Sequence, residues 1–141
     1  MDMTIDDKRP PIIVSTLDLE RIEKLLELPQ YRNLPGVEAL KQELERANIV
    51  EPDEIPPGVV TMNSQVFFAK EDSDTEYGLT LVYPGADNPP DAVSIFAPVG
   101  SALLGLSVGQ SISWEVPGGR QLCLRVLNVV YQPEASGEYH R

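Results

Sequence analysis

The sequence has one cysteine, Cys123, and one histidine, His140, among its 141 residues. A lone cysteine excludes an intrachain disulfide framework, and the two residues together supply no zinc-type ligand set, so neither a metal nor a cofactor is expected. Cys123 lies in a strand-like run and reads as a small core hydrophobe. With the only histidine in the tail, a Ser-His-acid triad lacks its base, which excludes nucleophilic catalysis of that type. Basic residues are also scarce. Lys and Arg number 11 against 22 Asp and Glu, a net charge of -11, and without clustered cations no direct binding to a nucleic-acid backbone is expected. Aromatics make up only 6%, and most of them sit in strand-like runs, as core or sheet-face residues rather than a base-stacking platform. No apolar run approaches the roughly 18 residues that span a bilayer, and Met1 to Pro10 carries both signs of charge without an apolar stretch. A cytoplasmic protein with no membrane partner is expected.

Charge is distributed unevenly. Residues 1–50 hold ten acids and seven bases, whereas 51–141 hold twelve acids and four bases, Lys70, Arg120, Arg125 and Arg141. The second part, at -8, is suited to a basic surface on another protein.

Local patterns divide the chain. Ser15 and Thr16 offer N-cap oxygens, Asp18 and Glu20 place negative charge in a first helical turn, and Leu19, Ile22, Leu25 and Leu26 follow at helical spacing until Pro29. Pro35 and Gly36 open a second helix with a narrow seam at Val37, Leu40, Leu44 and Ala47. Two such short segments bury their stripes only together, as an antiparallel helical hairpin or short coiled coil over residues 1–50. Glu51 to Gly58, with three prolines and three acids, reads as a linker. From residue 59 to 141 the period becomes strand-like. Runs at Val59–Phe68, Tyr77–Tyr83, Ala92–Ala97, Gln110–Val116 and Gln121–Tyr131 predict five antiparallel strands. Pro117-Gly118-Gly119 reads as a tight turn, Gly100–Leu106 as a short helix, and the tail from Pro133 as frayed. The fold class is α+β, a hairpin followed by a sheet wrapped on a short helix.

Few residues offer chemistry. Gly105 and Gly109 read as turn and cap positions, since no Gly-Lys-Ser/Thr follows and no long apolar helix contains them. Asp72/Asp74 and Asp53/Glu54 lie in turn and linker contexts, where solvated acids are the plainer reading than a Mg²⁺ site.

Several motifs are more specific. The run Val93-Ser94-Ile95-Phe96-Ala97-Pro98-Val99-Gly100-Ser101-Ala102-Leu103-Leu104-Gly105-Leu106-Ser107-Val108-Gly109-Gln110, then Val116-Pro117-Gly118-Gly119 and Val129-Val130-Tyr131, resembles the C-terminal domain of the GreA/GreB transcript-cleavage factors. The likeness extends from about Val59 to Tyr131. Val60-Thr61-Met62-Asn63-Ser64, Leu81-Val82-Tyr83-Pro84, Ala97-Pro98-Val99-Gly100 and Tyr131-Gln132-Pro133-Glu134-Ala135 resemble the short-armed branch of that family, the regulators of nucleoside diphosphate kinase. The resemblance implies an FKBP-like C-terminal fold and a monomer bound to RNA polymerase. The body would dock at the rim of the secondary channel, and the hairpin would point inward.

Departures from the family pattern decide the expected mechanism. Gre factors carry paired acids at the tip of a long hairpin, which help hold a catalytic Mg²⁺ in the polymerase. Here the connection Pro29-Gln30-Tyr31-Arg32-Asn33-Leu34-Pro35 has no acid. A guanidinium repels a divalent cation and has no oxygen to give it, so Gln30, Tyr31, Arg32 and Asn33 are expected to form a noncatalytic tip. At the docking turn the family presents an acid, a Ser and a Pro. Only Pro98 is kept, and Phe96, Ala97, Pro98 and Val99 are the candidate docking residues, with Phe96 open between core and interface roles. The expected function is noncatalytic regulation of transcription in competition with Gre-type factors. A Gre-type cleavage factor and an FKBP-type peptidyl-prolyl isomerase are the alternatives, the latter disfavoured by the shortage of aromatics for a pocket. A link to nucleoside diphosphate kinase is implied by the resemblance alone.

Overall fold

The computed structural model describes residues 11–34, 36–70, 75–84, 90–115 and 121–137. Strand β1 (Ile13–Ser15) leads directly into helix α1 (Thr16–Leu26), and helix α2 (Val37–Arg46) is followed by strand β2 (Asn48–Val50). Ser15 Oγ accepts from the Asp18 N–H at 3.0 Å, the N-cap bond that the Ser-Thr-x-Asp pattern predicts. Helix α2 begins after Gly36, whose φ of +88° is open to glycine at little cost.

The two short strands were not foreseen. They pair in parallel, Ile13 with Asn48 through Ser15 with Val50, and the Asn48 N–H donates to Ile12 O at 2.8 Å. They close the base of the hairpin on itself. Along the helices, Ile22, Leu26, Val37, Leu40 and Leu44 of the expected stripes are buried, while Leu19, Leu25 and Ala47 are half-buried. The five buried residues belong to the same core cluster as Val60, Met62, Leu81, Ile95, Leu103, Leu106, Leu124 and Val126 of the body. The hairpin is packed on the body rather than held away from it.

The segment after β2 is tied down. A 3₁₀ turn at Pro52–Glu54 is closed by the Glu51 N–H donating to Glu54 Oε1 at 3.1 Å, and Ile55 is buried. Gln132 Nε2 donates to Pro56 O and Val59 O, each at 2.8 Å. The expectation of a frayed tail from Pro133 is thereby corrected for its first residues, since Gln132 and Pro133 are buried and Thr61 Oγ1 donates to Glu134 Oε1 at 2.8 Å.

The body is a five-stranded sheet of β3 (Gln65–Lys70), β4 (Glu76–Val82), β5 (Ala92–Ser94), β6 (Ser111–Glu115) and β7 (Gln121–Tyr131), in the order β5-β4-β3-β7-β6. The strand expected over Val59–Phe68 starts only at Gln65. Asn63 has a φ of 67°, a left-handed geometry that asparagine tolerates, and Ser64 Oγ accepts from the Thr61 N–H at 2.9 Å, so residues 61–64 form a turn. The sheet is mixed, correcting the expected antiparallel one. Strand β5 runs parallel to β4, and Asp91, just before it, lies beside Thr80, whose N–H and Oγ1 reach Asp91 O and Oδ2 at 3.1 and 3.0 Å. The other pairs are antiparallel, and two register shifts between β3 and β7 add the bend and twist that curl the sheet. Strands β6 and β7 pair from Ser111/Arg125 to Glu115/Gln121, the pairing expected around Pro117-Gly118-Gly119, although that turn lies outside the described residues. So do Asp72, Asp74 and His140. Cys123 is exposed, not the core residue expected. Successive side chains of a strand point to opposite faces, and the next residue, Leu124, is the one that is buried.

Helix α3 (Pro98–Leu103) lies across the sheet and starts two residues before the expected Gly100. Proline at N1 lacks a donor that would be unpaired there in any case. Ser101 Oγ donates to Ile95 O at 2.6 Å, and any side chain at Gly100 would collide with Ser94 O, so the helix sits tightly on the end of β5. Beyond it, Gly105 takes a φ of +84°, and a Cβ there would come within 2.7 Å of Ile12 Cβ. Its carbonyl accepts from the Ile13 N–H at 3.1 Å, joining the hairpin's base to the body. Gly109 has a similar φ of +90° but open space around it. Gly105→Ala is therefore expected to lower stability by about 3 kcal/mol, combining left-handed strain with overpacking, and Gly109→Ala by only about 1 kcal/mol. Urea denaturation of the two variants checks this order.

Candidate functional site

Helix α1 lies along the body and is bound to it at successive points. Near its start, Asp18 is 4% exposed. Its Oδ2 accepts from the Met62 N–H and its Oδ1 from the Tyr83 hydroxyl, each at 3.2 Å. Burial pushes the Asp18 carboxyl up from its ordinary 3.8 to about 6, assisted by the Glu134 charge and opposed by the Met62 bond, Tyr83 and Arg21. Burial, then the Asp18 charge, also raises the Tyr83 phenol, which keeps its proton for the bond to Asp18. One helical turn on, the Arg21 guanidinium lies 5.9 Å from the centre of the Tyr83 ring. Arg21, Lys24, Leu25, Leu28 and Tyr83 line an open, mostly apolar groove at this junction.

At the far end of the hairpin, the connection is built of tight turns. The Tyr31 and Arg32 N–H groups donate to Leu28 O at 3.0 and 3.1 Å, and the Leu34 N–H donates to Tyr31 O at 3.1 Å. Gln30, Arg32 and Asn33 are exposed and Tyr31 is half-buried. On the body, the Phe96 N–H donates to Ser94 Oγ at 3.0 Å and the Ala97 N–H to Ser94 O at 2.9 Å, a turn leading into α3. Pro98 is exposed, while Phe96, Ala97 and Val99 are half-buried.

The rings of Tyr31 and Phe96 stack, with centroids 4.9 Å apart and planes inclined by 30°. Two groups of candidate residues distant in sequence are thus brought together. Phe96 packs against the core with one part of its ring and against the hairpin connection with another. Among the described residues no group of three or more His, Cys, Asp and Glu side chains converges as a metal site, and no helix is long and apolar enough to cross a membrane. The bond network around Asp18 was not anticipated. Its sequence signal, an acid in a first helical turn, points to the helix dipole and carries no trace of Met62 or Tyr83 as partners.

Residues 52–131 match the family model described as "Transcription elongation factor, GreA/GreB, C-term". The chain belongs to the GreA/GreB family. Residues 10–50 match a second model, "Rnk N-terminus", so this GreA/GreB-family chain has an N-terminal hairpin of that kind. It is 53% identical over 133 residues to the "Regulator of nucleoside diphosphate kinase" of Escherichia coli, covering 93% of this chain and 97% of that protein. It is 31% identical over 90 residues to the transcription elongation factor GreA of Helicobacter hepaticus, covering 63% of this chain and 55% of that one. A solved GreA/GreB-family structure from Nitrosomonas europaea, called a prokaryotic transcription elongation factor, superposes with a TM-score of 0.67 at 52% identity, covering 86% of this chain and 99% of that one. These GreA/GreB relatives are named as regulators and elongation factors, not as enzymes.

The raised Asp18 carboxyl makes stability depend on pH. The folded protein binds this proton more tightly than the unfolded chain, so the contribution is fullest below about pH 4 and is lost as pH rises through about 6. The stability of the wild type relative to Asp18→Asn is expected to rise by about 1 kcal/mol between pH 7.5 and pH 5. Paired denaturation curves at the two pH values check this, since the asparagine variant loses that part of the dependence.

Proposed function

We propose that this protein is a noncatalytic transcription regulator that binds RNA polymerase near the rim of the secondary channel and competes there with Gre-type factors. The family match over residues 52–131 supports a partner in the transcription machinery. The net charge of -8 on residues 51–141 suits a basic surface on that partner. On this reading residues 1–50 form the hairpin unit, 51–58 the connector and 59–141 the docking body, and the protein works in the cytoplasm as a monomer.

The observation that carries the noncatalytic part is the hairpin connection. Pro29 to Leu34 offers no carboxylate, its one charge is Arg32, and holding a hard divalent cation requires oxygen ligands of high charge density. Length points the same way. Helix α1 has 11 residues, which at about 1.5 Å per residue extends only ~16 Å, and the connection beyond its far end rests against the body at Phe96. For nucleoside diphosphate kinase, which the Escherichia coli relative is named as regulating, we favour an effect through transcription. The sequence has no glycine-rich loop ending in Gly-Lys-Ser/Thr to hold a nucleotide's phosphates.

Three measurements with purified polymerase test this function. Binding is expected to weaken with added salt, stalled elongation complexes are expected to show no cleavage above that of polymerase alone, and cleavage stimulated by an added GreA factor is expected to fall as this protein is titrated in. Stimulated cleavage by the protein itself, or no binding at low salt, would overturn the proposal.

A further inference from the structure

We infer that the hairpin connection and the turn before α3 form one composite docking element, in which Tyr31 is a positioning residue that holds the Phe96–Val99 turn in its binding geometry. The inference rests on the polymerase reading above and specifies how that surface is built. A finger that probes a channel separately from its body would carry its tip away from the body's docking turn. Here the tip ends on that turn, and the contact is a ring stack with centroids 4.9 Å apart.

Both rings are held by rigid frames. The Tyr31 backbone is fixed between Leu28 O and the Leu34 N–H, and Phe96 sits on a turn anchored twice to Ser94. Because both rings are only half-buried, the stack forms part of the surface rather than of the interior. Leu28 and Leu34, to either side of Tyr31 in the chain, are 38% and 36% exposed, and Pro98 is exposed as well. An apolar surface with an aromatic centre is the kind that protein partners desolvate on binding, and Arg32 and Asn33 supply polar groups beside it. Loss of the Tyr31 ring would remove the ring contact that sets the Phe96 side chain, and with it the aromatic centre of the surface that includes Ala97, Pro98 and Val99.

A double-mutant cycle on polymerase binding tests this, using the full chain and purified core RNA polymerase, with thermal melts confirming that each variant is folded. Tyr31→Ala and Phe96→Ala are each expected to weaken binding about tenfold or more, and the double variant is expected to bind no worse than the weaker single one. Residues acting as one unit lose their contribution once, whereas independent contacts multiply their losses. Tyr31→Phe, which keeps the ring, is expected to retain wild-type affinity. Multiplicative losses, or wild-type binding by Tyr31→Ala, would overturn the composite element while leaving polymerase binding intact. A wild-type protein that fails to bind polymerase at all would instead overturn the functional reading, and this inference with it.

Discussion

Everything in this architecture depends on how the hairpin buries its apolar stripe. Helices of 11 and 10 residues are too short to persist in water, because the cost of nucleation is not recovered over so few hydrogen bonds. Packing them on each other would shield part of Ile22, Leu26, Val37, Leu40 and Leu44. The structure goes further and places all five in the cluster that contains Leu81, Ile95, Leu103 and Leu106. The hairpin therefore shares its core with the sheet domain, and its direction follows from that shared core. The parallel β1–β2 pair closes its base, and the Ile13–Gly105 hydrogen bond ties that base to the body.

Apolar burial is not directional, so it does not by itself choose one placement of α1 over a neighbouring one. The polar contacts do. Asp18 receives two donors from different parts of the body, Met62 and Tyr83, and a slide of α1 by one residue would leave a buried carboxylate without them. An unpaired buried charge costs several kcal/mol, which is a steep penalty against every other register. The same burial raises the carboxyl pKa, so the residue that specifies the placement also makes the fold sensitive to pH. Specificity and a modest loss of stability at neutral pH have one cause.

Much of this was legible in the sequence, and what was not has a common physical reason. The helix start at Ser15, the seam at Val37, Leu40 and Leu44, the β6–β7 pairing and the short helix near Gly100 are all encoded by residues within a few positions of one another. Local capping, periodicity and turn chemistry report them directly. The features that escaped depend on distant partners. The β1–β2 pair joins the two ends of the hairpin, the parallel pairing of β5 with β4 brings Asp91 to Thr80, and the Asp18 network spans 44 and 65 positions. The strand expected from Val59 was lost to Asn63 and to the Thr61–Ser64 bonds, a case where turn chemistry outweighed β-rich composition. The candidate site divides in the same way. Its residues could be named from motif and composition, but the meeting of Tyr31 with Phe96 could not.

That meeting changes what the shortness of this hairpin means. A brief hairpin held away from the body would be only a truncated version of a longer one, with its end left in solvent. Seated along the body through Asp18, Arg21 and Tyr31, it delivers its connection to a fixed place beside Phe96, and length becomes a means of registration rather than a shortfall of reach. On the proposed reading an acid at that end would gain nothing, since it would lie beside the turn before α3 and not at a metal. Arg32 there places a positive charge next to an apolar surface on a chain that is otherwise strongly acidic. On the proposed reading, the energy that a longer-armed relative would direct to chemistry at its tip serves recognition here, and occupancy of the polymerase is the whole of the mechanism.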